Sequence, residues 1–414
     1  MAGTSEELDR ILYNPQGCLL DRNICEKVVK VLNCKTDFKP KSIQKLLEIC
    51  LQDPKDDVEY ATDTLRVVLV VLKKVAAGEF SIKPDLVPSM LDLLFIINSA
   101  LYISRSDEIK IMYFKTLLSY PDEVYSNLED NDKILEVFSL YAHQQIPLEL
   151  RVQPIYVLYK YLKALPPPKR LMFVEQGINI WFHTLVPLVI FFAKIPDFEI
   201  ETPLAALELI ADECSSIDYY DDPSFQSLFH SRKYTTIMKN LLAKGSTIWH
   251  RLWIIFIKIF KNQLTTKSGS YGSPINSLLP VIETAFKLDV TNKCRAFICW
   301  NALIDNFATE ANEVEINKRI KLLMIPLYSN NAKIEQTIIA KTNTWWHLIC
   351  RYSKLSNFAE IILIPFLHFC FGKPNDCDKS VQIPGMLTDM SSVCCVEALV
   401  NIFGHNNCQG CVSL

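Results

Sequence analysis

Glycine is scarce, at 11 of 414 residues, and no segment alternates apolar and polar residues with the period of two that a half-buried strand needs. A sandwich or barrel of short strands joined by glycine-rich turns is therefore excluded. A net charge of only −3 and a hydrophobic share of 50% exclude a chain too polar to bury a core. The N-terminal MAGTSEELDRILYNPQG has neither the basic start nor the apolar run of a secretory signal. The 14 cysteines are accordingly expected to be free thiols; Cys18, Cys25, Cys34, Cys50, Cys214, Cys294, Cys299, Cys350 and Cys370 are scattered among apolar residues as small hydrophobes.

Long apolar runs are missing as well. The most apolar stretch, WFHTLVPLVIFFAKI from Trp181 to Ile195, falls short of the ~18 to 20 residues of a membrane span. It carries His183 and Lys194 and is expected to be a buried helix, so no membrane partner is assigned. Catalytic signatures fare no better: there is no glycine-rich phosphate loop, HExxH zinc motif or G-x-S-x-G elbow. KSGSYGSP at Lys267 to Pro274 reads as a flexible interhelical loop, and its Ser273-Pro274 pair is a phosphorylation dipeptide of a common kind. The seven histidines lie on expected helices without a convergent spacing. No catalytic residue, metal or cofactor is assigned, and the chain reads as a non-enzyme.

What is present is helical spacing almost throughout. Expected helices include Val58 to Ala76, Leu86 to Leu101, Asp107 to Ser119, Leu148 to Ala164, Pro203 to Asp212, Thr247 to Asn262 and Pro280 to Leu288. They continue with Lys293 to Asn306, Lys318 to Tyr328, Ala332 to Lys354 and Phe358 to Phe371. Basic and aromatic residues recur at helix centres, as in HRLWIIFIKIF at Arg251 and CRAFICWNALI at Arg295. Trp253, Trp300 and Trp346 recur with a period of about 46 residues, as do Pro280 and Pro326; that spacing suits HEAT or armadillo repeats. The expected fold is all-α, a HEAT/armadillo-like helical-repeat superhelix, or α-solenoid, over residues 1–373. Residues 374–414 form a divergent tail with Cys377, Cys394, Cys395, His405, Cys408 and Cys411. Its HNNCQGC is H-x2-C-x2-C, but with no second cysteine pair at finger spacing it is expected to be a last helix followed by a frayed end.

In AKTNTWWHLICRY (residues 340–352), helical placement puts Trp345 and Trp346 on a core arc and His347 and Arg351 together at i,i+4 on the other side. The two tryptophans are expected to be core, and the His-Arg neighbours a satisfied surface pair.

Charge is segregated along the chain. Asp197, Glu199, Glu201, Glu208, Asp212, Glu213, Asp218, Asp221 and Asp222 occur without a Lys or Arg between them. From Ser224 to Ile282 there is no acid, while Arg232, Lys233, Lys239, Lys244, Arg251, Lys258, Lys261 and Lys267 supply positive charge. Around Trp249 to Lys261 the aromatic residues take the apolar arc, and Arg251, Lys258 and Lys261 share a polar ridge that could face an anion. The same blocks could pair with one another across adjacent repeats, or be solvated. A second, weaker strip is Lys318, Arg319, Lys321, Lys333, Lys341, Arg351 and Lys354, offset by Glu315 and Glu335; its KRIK has the look of an import signal but sits within an expected helix.

RAFICWNALIDNFA (Arg295 to Ala308), KRIKLLMIPLYSNNAKIEQTIIAKTNTWWHLICRY (Lys318 to Tyr352) and ILIPFLHFCFG, ending at Gly372, resemble the N-terminal helical domain of the Rif-family telomere-associated proteins. The resemblance is specific over about 80 residues; upstream, only the irregular helical character is shared. It implies a nuclear chromatin scaffold in the telomeric region of the chromosome, acting in telomere maintenance, replication timing and double-strand-break repair. It also implies that this chain is a short form of a longer protein, and no phosphatase-docking segment of the basic-aliphatic-x-aromatic kind stands out. With the family as background, the eight cations from Arg232 to Lys267 become candidates for contact with the DNA phosphate backbone. Nuclear proteins are the other expected partners, with a homodimer left open. The alternative is a cytosolic HEAT-repeat adaptor that binds proteins and makes no DNA contact.

Overall fold

The computed structural model describes residues 8, 22–34, 40–51, 58–80, 87–103, 106–128, 130–142, 145–231, 233–266, 272–308, 313–329 and 334–371. Among them every regular element is helical. They divide into two units, Met1–Tyr219 and Tyr220–Leu414, and each is an all-α stack of helical pairs of the solenoid type.

The first unit contains α1 (Arg22–Cys34), α2 (Pro40–Leu51), α3 (Val58–Ala76), α4 (Val87–Ile96), α5 (Asn98–Ile103), α6 (Asp107–Ser119) and α7 (Asp122–Ser126). It continues with α8 (Asp132–Tyr141), α9 (Leu148–Ala164), α10 (Pro167–Gln176), α11 (Ile178–Ile180), a π turn at Trp181–Leu185, α12 (Val186–Phe192) and α13 (Glu201–Cys214). The long helices α1, α3, α6, α9 and α13 pack in that order as one layer, and the shorter elements between them form the other. Polar side chains tie each pair to the next at a nearly constant separation. Lys133 Nζ reaches Asp92 at 2.9 Å across 41 residues, Lys160 Nζ donates to the Leu118 carbonyl at 2.8 Å across 42, and Arg170 Nε reaches Glu213 at 2.6 Å across 43. Nothing in the tryptophan spacing announces this repeat.

One expected helix is broken: Ile97 separates α4 from α5 within the expected Leu86 to Leu101 segment. Trp181 to Ile195, expected to form one buried helix, is continuously helical and mostly buried from Trp181 to Phe192, by way of the π turn, and the chain bends ahead of it at Gly177, between α10 and α11. The buried Trp181 indole donates to the Val174 carbonyl at 2.9 Å and packs against Phe138 and Phe173. Its ring lies where a side chain on residue 177 would go, which is why the bend carries glycine. Among the described residues no single helix is long and apolar enough to cross a membrane.

The second unit comprises α14 (Pro223–Ser231), α15 (Lys233–Ala243), α16 (Ile248–Phe260), a 3₁₀ turn at Lys261–Thr265, α17 (Pro274–Phe286) and α18 (Val290–Phe307). It ends with α19 (Glu313–Ser329), α20 (Glu335–Tyr352), a π turn at Ala359–Leu363 and α21 (Ile364–Phe371). Here α16, α18 and α20 form one layer. The Trp253 indole donates to the Leu278 carbonyl of α17 at 3.1 Å, and the Trp300 indole donates to Leu323 of α19 at 2.9 Å. Each acceptor helix also contains an interior proline, Pro280 or Pro326; its missing N–H leaves the carbonyls of Asn276 and Leu322 without a helical donor, two residues before Leu278 and one before Leu323. The sequence expectation that α17 begins at Pro280 is corrected by six residues: Pro274 occupies the first helical turn and Ser273 is its buried cap.

The third expected anchor also shifts by one residue. Trp345 is buried at 1% exposure, against Phe366, Phe369 and Tyr328, whereas Trp346 is half-buried. An 18-residue helix with an apolar arc has room for one of two adjacent rings at its centre, and Trp345 takes it.

Gly177→Ala should destabilise the protein by about 1–3 kcal/mol, since the added methyl has to displace the Trp181 ring in a packed core. Urea unfolding checks this, and an unchanged midpoint would contradict the packing at the bend.

Candidate nucleic-acid interface

The acid-free cations lie on α15, α16 and the turns that follow them. Arg232 and Lys267 are outside the described residues. Lys233 and Lys239 on α15, and Lys244 just past its end, are exposed. Gly245, at φ +71°, turns the chain there and leaves Lys244 at the corner. On its other side α15 buries Tyr234, Met238 and Leu241, and the Tyr234 ring stacks on Phe256 of α16 at 4.4 Å between centroids. The three lysines therefore point away from α16.

The α16 cations face elsewhere. Trp249, Trp253, Phe256 and Phe260 are buried toward α15, α17 and the start of α18, as the Trp253 bond to Leu278 and the 3.2 Å contact from the Trp249 indole to Asn292 show. At 100° per residue, Arg251 and Lys258 fall on the opposite side with Ile254 between them. All three are half-buried, and Arg251, Lys258 and Lys261 each have contacts of their own within the protein. Lys261 does not continue the ridge. It follows the last residue of α16 with φ at 43°, a conformation that turns a non-glycine side chain off the helical path. The described cations thus form two groups on opposite surfaces of the α15/α16 pair.

The second expected strip is dispersed. Lys318, Lys321 and Lys354 are exposed, and Lys333 is outside the described residues. Arg319 is occupied, donating to the Phe307 carbonyl at 3.2 Å with its guanidinium over the Phe307 ring. Lys341, expected on the surface, is only 4% exposed, with its Nζ 4.9 Å from the centre of the Phe369 ring; burial pulls its pKa down to about 8. Arg351 and His347 meet at one carboxylate, on a residue the sequence did not single out. Arg351 Nε donates to Asp305 Oδ1 at 2.5 Å, and His347 Nε2 lies 2.9 Å from the same oxygen without the geometry of a hydrogen bond. Burial of Asp305 opposes its ionisation, yet His347 and Arg351 outweigh that and hold its carboxyl below the usual range. Asp305 lies 46 residues before Arg351, so the repeat period itself was the signal that could have found it.

The acidic block is partly used up by the fold. Glu213 pairs with Arg170 of α10, and Asp222 accepts from the backbone N–H groups of Ser224 and Phe225 to start α14. Neither bond involves the basic block. Among the described residues no three His, Cys, Asp or Glu side chains converge as metal ligands, and the cysteine-containing tail lies outside them. The described cysteines are free, and burial raises the Cys50 thiol to about 12, with Cys25 adding to the effect.

With this geometry in place, comparison with known proteins is informative. Residues 223–360 match the family described as Rap1-interacting factor 1 N terminal, a stretch holding all the candidate cations and reaching further upstream than the resemblance from Arg295 onward. The chain is similar to the human telomere-associated protein RIF1, 31% identical over 194 residues, 45% of this chain and 7% of that protein. It is also 30% identical to the Gallus gallus protein of the same name over 46% of this chain, and 30% identical to the Drosophila melanogaster one over 48%. The chain spans 8% of the length of the former and 14% of the latter. A solved engineered protein aligns over 96% of this chain and 98% of its own, at a TM-score of 0.39 and 12% identity; so weak a likeness carries no argument.

Lys341 offers a test of this region. With its pKa near 8 when folded and near 10.4 when unfolded, both states hold the proton below pH 8, where the native state bears the full cost of burying the charge. Stability due to Lys341 then rises between pH 8 and 10.5, as the native amine loses its proton first. Lys341→Met should stabilise the protein at pH 7 by about 1–3 kcal/mol, and urea unfolding should find that advantage shrinking toward pH 10.

Proposed function

We propose, on the match of residues 223–360 to the family described as Rap1-interacting factor 1 N terminal, that the chain is a non-enzymatic chromatin scaffold. In this reading it works in the nucleus at telomeric chromosome regions, in telomere maintenance, replication timing and double-strand-break repair, and contacts both DNA and nuclear protein partners. The observation that carries the reading is the overlap between the matched segment and the acid-free run from Ser224 to Ile282, which holds Arg232, Lys233, Lys239, Lys244, Arg251, Lys258, Lys261 and Lys267. A run of cations on a rigid helical surface suits a duplex read through its phosphates, because each neutralised phosphate releases counterions whatever the base sequence.

The two basic surfaces are not equivalent in this reading. Lys233, Lys239 and Lys244 are exposed and make the first contact; Arg251 and Lys258, half-buried and interrupted by Ile254, contribute less. The partial burial of the α16 cations also favours a second reading, a protein-binding HEAT-type adaptor without DNA contact.

Titration of labelled duplex DNA over a series of salt concentrations separates these. Lys239→Glu with Lys244→Glu should weaken binding about tenfold or more at low salt, equally for unrelated sequences, and reduce the salt slope by about two. Arg251→Gln with Lys258→Gln should change affinity about twofold or less. Absence of binding by the wild-type chain at low salt would reject the DNA reading in favour of the adaptor.

A further inference from the structure

The first unit holds a half-open cavity of about 960 Å³, comparable to ligand and peptide sites. It lies between the end of α8, the first turn of α9 and the π turn with α12. Its lining includes no carboxylate, while Arg151, His183, Thr184 and Ser139 bring donors to it and Leu188 and Phe191 an apolar wall. Arg151 differs from Lys133, Lys160 and Arg170, which each have a carboxylate partner; among the described residues none pairs with Arg151. Its guanidinium lies over the Phe191 ring, 4.8 Å from the centroid, and its Nε is buried with no hydrogen-bond partner. The residue is only half-buried and lines the cavity, so the forked end of the guanidinium is open to an acceptor supplied from outside. His183 and Thr184 lie within the π turn and line the cavity wall, and π turns inserted in helices recur at functional positions.

We propose that this cavity docks an extended segment of a partner protein carrying a carboxylate next to an apolar or aromatic side chain. The carboxylate accepts from the Arg151 guanidinium, with the His183, Ser139 and Thr184 side chains as further donors. The neighbouring side chain packs on Leu188 and the exposed part of Phe191. A single arginine suits a single negative charge, whereas phosphorylated segments are held by clusters of arginines. The site lies outside residues 223–360 and is independent of DNA binding, so the two readings can fail separately.

The test uses the full chain and a fluorescein-labelled octapeptide in which Glu alternates with Leu and Phe, read by fluorescence anisotropy. Two further peptides serve as controls: one with Gln in place of Glu, and one with Ser in place of Leu and Phe. The Glu/apolar peptide should bind saturably and both controls about tenfold more weakly or worse. Arg151→Met should lose about tenfold. Arg151→Lys, which keeps the charge but not the fork, and His183→Ala, at an exposed position, should each lose about threefold with melting temperatures unchanged. Lys239→Gln and added duplex DNA should leave peptide binding as it is. No saturable binding up to about 1 mM, equal binding of the Glu and Gln peptides, or binding indifferent to both the Arg151 and His183 variants would overturn the proposal. Equal binding of the Ser-substituted peptide would do so too, by reducing the interaction to unspecific charge.

Discussion

A buried indole N–H is costly without an acceptor, and in the second unit Trp253 and Trp300 find theirs by joining one helical pair to the next, whereas the Trp345 N–H has none among the described residues. The Trp253 and Trp300 rings fill the space between layers, while their N–H groups hold the Leu278 and Leu323 carbonyls of the neighbouring helices. Register between adjacent pairs follows from these bonds. Once the indoles fix α17 against α16 and α19 against α18, Asp305 comes within reach of His347 and Arg351, and the Asn306 amide within reach of the Ile257 carbonyl.

That register decides what the charges can do. Cations on α15 are free of the core and stand in solvent, whereas those on α16 sit on the narrow remainder of a helix whose other sides are filled with aromatic rings. The same logic withdraws Arg319 and Lys341 from the surface: an arginine or lysine stem is long enough to lie along apolar groups, and both heads end over phenylalanine rings. In the first unit Arg66, Lys133, Lys160 and Arg170 are drawn into pairs between neighbours. Arg151 has an aromatic ring beneath it and, among the described residues, no anion paired with it.

Much of this was legible in the sequence. The helices Val58–Ala76, Asp107–Ser119 and Leu148–Ala164 follow the apolar spacing to the residue, because amphipathic period and helix ends coincide there. The all-α class and the repeat in the second unit followed from the same spacing and from its large, widely separated aromatic residues. The misreadings have particular causes. Periodicity assigns Trp345 and Trp346 similar places on one arc, and only the neighbouring helices decide which enters the core. It extends the α16 ridge to Lys261 because it cannot register a residue with positive φ. It also treats basic residues as one strip when they share a stretch of chain, although α15 and α16 turn their open sides in opposite directions. The cavity at Arg151 left no sequence signal, since its lining comes from five separate segments between Tyr102 and Phe191.

The short separation of the contacts that join one helical pair to the next has a consequence for how the chain comes to be folded. The indole bonds span 25 and 23 residues and the other such contacts described above 41 to 49, so no helix waits long for its neighbour during synthesis. At roughly 5–20 residues per second, even the longer of these separations brings the partner of a newly made helix out of the ribosome about 2 to 10 seconds later. Apolar faces are thus exposed on the nascent chain only briefly and one pair at a time, and a protein with so many buried aromatic rings has little opportunity to aggregate before it is complete.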